Sequence, residues 1–140
     1  MTQEEKALLL LKDLCGRLPH GVKVDVSRVE EWKELTLTPF ILANYYDCIE
    51  KVKPYLRPMS SMTEEELKEL NEKYGNIAYF FIQEPPYYHG LQAQHSDIGS
   101  IEISEFSEIY DWLNEHHFDY RGLIEKGLAL EAPEGMYKTE

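Results

Sequence analysis

Positive charge is what this chain has least of. Its 140 residues carry 14 Lys+Arg against 26 Asp+Glu, a formal net charge of −12. Phosphate binding needs Lys and Arg, so the shortage argues against nucleic acid or an anionic membrane as a direct ligand. A basic protein surface stays open as a partner, because net charge acts on solubility, partners and association rates rather than on the fold. Long hydrophobic runs are also missing. Leu8 to Leu11 spans only four residues, where a bilayer crossing needs about 20. Cysteine is limited to Cys15 and Cys48, and the start Met1-Thr2-Gln3-Glu4-Glu5-Lys6 is polar and acidic rather than basic as in a signal peptide. The expectation is a cytoplasmic chain with reduced, buried thiols, Cys15 lying on an apolar helix stripe. Neither Gly-x-x-x-x-Gly-Lys nor Gly-x-Gly-x-x-Gly occurs, so no glycine-rich phosphate cradle is encoded.

What is present suffices for a core. The composition is 43% hydrophobic and 12% aromatic, which is globular rather than disordered. A chain of this length buries about 68–70% of its unfolded surface, and one domain over 1–140 is the default.

Thr2 with Glu5 forms a capping box that predicts a helix over about 3–15. Ala7, Leu8, Leu11, Leu14 and Cys15 supply its apolar stripe, and Gly16 its end. Val22, Val24 and Val26 alternate with Lys23 and Asp25, which predicts a strand over 22–26. A second strand is expected over 35–41, cut short or held at an edge by Pro39. Residues 44–53 suit a short helix or a strand. Pro54 and Pro58 mark an extended linker.

Thr63 with Glu66 is a second capping box, and predicts a helix to Tyr74 that buries Leu67 and Leu70. Glu64–Lys68 and Glu69–Lys73 are i,i+4 pairs in the favourable order. Ile77–Ile82 reads as a central strand over 77–83 and Gln83–Ser100 as a long loop. A short strand over 98–103 and a helix over about 105–116, capped by Ser104, follow. Phe106, Ile109, Tyr110, Leu113 and His117 make its apolar face. The tail is apolar enough to dock as far as Leu130, with 131–140 expected to fray. The fold class is therefore α+β: one small domain, about three helices packed on a small, mostly antiparallel sheet.

Three stretches carry a resemblance. They are Asp13-Leu14-Cys15-Gly16-Arg17-Leu18-Pro19-His20-Gly21-Val22-Lys23, Lys53-Pro54-Tyr55-Leu56-Arg57-Pro58-Met59-Ser60-Ser61-Met62-Thr63-Glu64-Glu65, and Asp111-Trp112-Leu113-Asn114 with His117-Phe118-Asp119-Tyr120-Arg121-Gly122-Leu123-Ile124. In these the chain resembles a family of small uncharacterised proteins common in gut anaerobes and their phages and mobile elements. The resemblance implies that source and a small α+β domain, and no activity, cofactor or catalytic residue.

Two kinds of site deserve weighing. On the last long helix, Glu105, Glu108, Asp111 and Glu115 fall on one face with Trp112 beside them. Carboxylates around an aromatic anchor suit a contact with a basic protein patch. The plainer alternative is a Trp shielded by the next segment. The second site is the loop set His89, His95 and Asp97, to which His116, His117 or Asp119 could be added as metal ligands. Its spacing matches no established ligand motif. No cofactor, catalytic residue or metal ligand is assigned. The preferred reading is a non-enzymatic cytoplasmic accessory protein acting through protein–protein contacts. The alternatives are a small metal-dependent enzyme using the loop histidines and a DNA-mimic inhibitor of a nucleic-acid-binding protein. The oligomeric state stays open.

Overall fold

A computed structural model describes residues 1–29, 34–74, 78–79, 92–93 and 103–137; the side chains at 71, 74, 78–79, 92–93 and 103–106 are outside that description. In chain order the elements are α1 (Gln3–Arg17), β1 (Lys23–Asp25), β2 (Leu35–Thr36), α2 (Pro39–Asn44), β3 (Lys53–Leu56), α3 (Glu64–Tyr74), β4 (Ala78–Tyr79), β5 (Gln92–Ala93), α4 (Ile103–Glu115) and β6 (Leu130–Glu131). Single 3-10 segments cover Leu18–His20, Tyr46–Lys51 and Met59–Ser61. The α+β class is as the sequence predicts. The chain divides into two compact units, Met1–Arg57 with Asn114–Glu140, and Pro58–Leu113.

The first unit is built on a four-stranded mixed sheet in the order β2-β1-β3-β6. Strand β1 pairs antiparallel with β2 (Val24↔Leu35) and with β3 (Val24↔Pro54), whereas β6 runs parallel to β3 (Tyr55↔Leu130). Leu10 and Leu14 of α1, Val22, Val24 and Val26, Ile49, Val52, Leu56, Leu123 and Leu128 form its core.

Several sequence expectations are corrected here. Strand β2 is only two residues long, because Thr38 accepts a hydrogen bond from the Ile41 N–H and opens α2, with Pro39 in its first turn. Proline suits that place since its missing N–H would be unpaired anyway. The expected linker between Pro54 and Pro58 instead begins with an interior strand of the sheet, Lys53–Leu56. Pro54 is tolerated there because β6 pairs with β3 only from Tyr55 onward. The tail does not fray at 131: the Ala132 N–H donates to the Leu56 carbonyl at 2.8 Å. Tyr137 then inserts its hydroxyl between β1 and β3, accepting from the Lys23 N–H at 2.7 Å and donating to the Tyr55 carbonyl at 2.8 Å. Burial pushes this phenol up to about 12.

Helix α1 starts at its predicted capping box, with Thr2 and Glu5 bonded reciprocally. Its buried face, however, is Leu10, Asp13, Leu14 and Arg17. Leu8 is 55% exposed and Cys15 is exposed as well. The four consecutive leucines cannot fix a face, and the packing rotates the stripe away from Cys15. Gly16 does not end the helix. A Cβ there would lie 3.3 Å from Asn114 Nδ2, so glycine admits a close approach by that side chain.

In the second unit α3 carries its predicted capping box, Thr63 accepting from the Glu66 N–H and Glu66 from the Thr63 N–H. Leu67 and Leu70 are buried, as are Met62, Ile109, Trp112 and Leu113. Strands β4 and β5 pair antiparallel as a separate two-stranded sheet. The described part of the expected central strand thus lies outside the four-stranded sheet, and the expected loop contributes β5. Helix α4 begins at Ile103, so Ser104 lies inside it and not at its cap. The remainder of the expected 98–103 strand lies outside the described residues.

Candidate functional site

Helix α4 turns Ile109, Trp112 and Leu113 inward, at i, i+3 and i+4. Tyr110, expected on the apolar face, is 43% exposed, so that face is rotated toward Trp112. Trp112 itself is 3% exposed, which removes it from the expected contact surface. Glu108, Asp111 and Glu115 remain exposed. Glu105 lies in the helix, its side chain outside the description. What the structure keeps of the expected site is its carboxylates without their aromatic anchor.

All of these carboxylates but Glu115 belong to a wider pattern that sequence reasoning missed. Residues 58–113, the second unit, carry eleven Asp+Glu against two Lys+Arg, a net of −9. The first unit carries fifteen against twelve, a net of −3. Most of the excess acid therefore sits on one unit. Glu64, Glu65 and Glu72 on α3 and Glu108 and Asp111 on α4 are exposed to solvent. The two cations, Lys68 and Lys73, are spent on Glu64 at 3.8 Å and Glu69 at 3.2 Å. Each such exposed pair is worth only about 0.3–0.5 kcal/mol, so their main effect is to interrupt the acidic row.

The first unit holds a buried polar hub instead. Arg17 is fully buried, its Nε donating to Asp13 Oδ2 at 2.8 Å and its Nη2 to the Phe118 carbonyl at 2.7 Å. Arg121 Nε reaches the other Asp13 oxygen at 3.1 Å. The Tyr120 ring lies 5.2 Å from the Arg17 guanidinium and 5.1 Å from that of Arg121. Its hydroxyl donates to Asn114 Oδ1 at 3.0 Å. Asp119, buried, accepts from the N–H groups of Leu123 and Ile124. These bonds tie α1 to the segment after α4.

His117 belongs to the hub and not to α4. The helix stops at Glu115, and His117 adopts φ 64°, a left-handed conformation. Its ring stacks on Tyr137 at 3.6 Å. Burial, then the positive charge of Arg17, lowers its pKa to about 4. An imidazole so placed is neutral at pH 7. Among the described residues no group of three or more His, Cys, Asp or Glu stands where it could hold a metal ion. His89, His95 and Asp97 lie outside the described residues. Among those described, no helix is long and apolar enough to cross a membrane. No family model, no curated protein and no solved structure matches the chain.

Proposed function

We propose that this chain is a non-enzymatic cytoplasmic accessory protein, of a gut anaerobe or one of its mobile elements, that works through protein–protein contact. Its second unit meets a basic protein surface. The observation that carries the reading is the charge partition: a net of −9 on residues 58–113 against −3 on the rest. A field concentrated on one unit orients the molecule as it approaches a partner, and such steering raises association rates above the roughly 10⁵–10⁶ M⁻¹s⁻¹ of neutral pairs. It acts within a Debye length of about 8 Å at physiological salt. The expected anchor, Trp112, is buried, so steering and specificity fall to the carboxylates.

Mimicry of DNA is the weaker reading. Helix α3 has 11 residues, hence a length of about 16 Å. One DNA strand carries about five phosphates over that distance. Five glutamates less two lysines leave α3 with only −3.

The test is capture of tagged protein from its host lysate at low and moderate salt, read by mass spectrometry. A stoichiometric, salt-sensitive partner with a basic surface supports the reading. A partner that charge reversal at Glu108 and Asp111 leaves fully bound contradicts the α4 face.

A further inference from the structure

A cleft of about 180 Å³ opens in the first unit, lined by Asp25, Ser27, Arg28, Lys51, Lys53 and Leu130. It is far from the acidic unit in chemistry: three cations converge on it in a chain with an overall charge of −12. The fold makes the convergence. Asp25 ends β1 and Ser27 and Arg28 follow in the next turn, where the Val29 N–H bonds to the Val26 carbonyl at 2.9 Å. Lys51 ends the 3-10 segment, Lys53 begins β3, and Leu130 begins β6. Three stretches of backbone, residues 25–28, 51–53 and 130, each in or beside a strand of the sheet, thus fix the positions of the lining residues.

Arg28, Lys51 and Lys53 have no hydrogen bond or ion pair among the described residues. Asp25 lines the cleft with them and acts electrostatically on Lys53. Its Oδ1 accepts from the Ser27 N–H at 2.7 Å and its Oδ2 from the Tyr55 hydroxyl at 3.4 Å. Five other cations, Arg17, Lys23, Lys68, Lys73 and Arg121, each hold a carboxylate. Lys53 also bears the cost of the arrangement. Desolvation, then repulsion from Arg28, lowers its pKa, with Asp25 opposing.

We propose that this cleft binds a small phosphate monoester. Among the described lining residues, three cations less Asp25 leave +2, the complement of a dianion. A phosphate presents three strong acceptor oxygens at a charge of about −1.5 to −2, one for each cation, whereas a carboxylate has two oxygens and one charge. The volume is below the roughly 300–1,000 Å³ of pockets for drug-sized ligands, so the ester group is compact. Leu130 provides its apolar contact. The lining lies wholly in the first unit, and the proposal stands or falls apart from the proposed partner.

The experiment is titration of ¹⁵N-labelled full-length protein with inorganic phosphate, methyl phosphate and acetate at constant ionic strength, followed by NMR. Saturable shifts at Asp25–Arg28 and Lys51–Lys53 with both phosphates, and none with acetate, are expected. The exposed variants Arg28→Gln and Lys51→Gln, which leave the buried fold untouched, should each weaken binding about tenfold, the worth of one charge-assisted hydrogen bond. Methyl phosphate should bind at least as tightly as inorganic phosphate. Linear, unsaturated shifts, or equal affinity in wild type and both variants, would overturn the assignment.

Discussion

Removing Asp13 alone should damage this protein more than removing Asp13 and Arg17 together. Both side chains are fully buried, with Arg17 Nε 2.8 Å from Asp13 Oδ2. A buried guanidinium stripped of its counter-charge keeps its desolvation cost and loses the attraction that offsets it, a penalty of about 3–5 kcal/mol. Asp13→Asn retains an acceptor for Nε, so it should fall near the lower end, about 3 kcal/mol. That is a large share of the roughly 5–15 kcal/mol typical of a domain, and corresponds to a drop in Tm of about 10 °C. In the double variant Asp13→Leu with Arg17→Met, no fully buried charge is left behind; Arg121, which also loses its carboxylate, is 30% exposed and keeps contact with water. The Phe118 carbonyl loses its donor, at about 1–3 kcal/mol. Against this, Arg17 Nη1, which has no partner among the described residues, no longer needs one. The double variant should therefore lose less than the single one. Urea unfolding followed by circular dichroism, with the slope checked for constancy, gives both numbers. An Asp13→Asn loss below about 1 kcal/mol, or a double variant worse than the single, would refute the description of the hub as a buried ion pair.

Acid should weaken the fold through His117. Its folded pKa of about 4 lies below the ordinary 6.5, so between those values the unfolded chain holds a proton that the folded chain does not. Stability is then fully present above pH 6.5 and falls as pH drops toward 4, by at most about 3 kcal/mol. His117→Asn, which tolerates the left-handed backbone, should flatten that part of a stability–pH profile; equal acid losses in both proteins would count against it. Tyr137→Phe should cost about 1–3 kcal/mol in the same unfolding assay, since the Lys23 N–H and Tyr55 carbonyl lose their shared hydroxyl. A loss within experimental error would place the tail outside the fold. Cys15, being exposed, should react with a thiol reagent in the native protein at the rate of a free peptide thiol, and slow reaction would contradict its position.

Legibility in the sequence followed the range of the forces involved. Both capping boxes and the two i,i+4 pairs on α3 are local, and each stands where the spacing placed it. The face of α1 was not legible. Its buried charges are satisfied across 101 and 108 positions of chain, by the Phe118 carbonyl and Arg121. Nothing in the helix itself announces such partners. Strand β3 was hidden by Pro54, which reads as a linker until the parallel partner is seen to begin beyond it. Trp112 was misplaced because Ile109 and Leu113 fit two stripes, and burial chose the one through Trp112. The acidic residues of the candidate face were visible from the start. That all of them but Glu115 share one unit with most of the excess acid was not, because the unit's boundaries at Pro58 and Leu113 are set by folding.

The most direct test of the proposed contact is the rate at which a captured partner associates, measured by stopped flow across ionic strengths. Wild type should be compared with a variant carrying Glu64→Lys, Glu65→Lys, Glu108→Lys and Asp111→Lys, its fold confirmed by circular dichroism. The account predicts a rate at least about tenfold slower for the variant at low salt, with the two curves converging as salt screens the field. Equal rates at every salt concentration would contradict it.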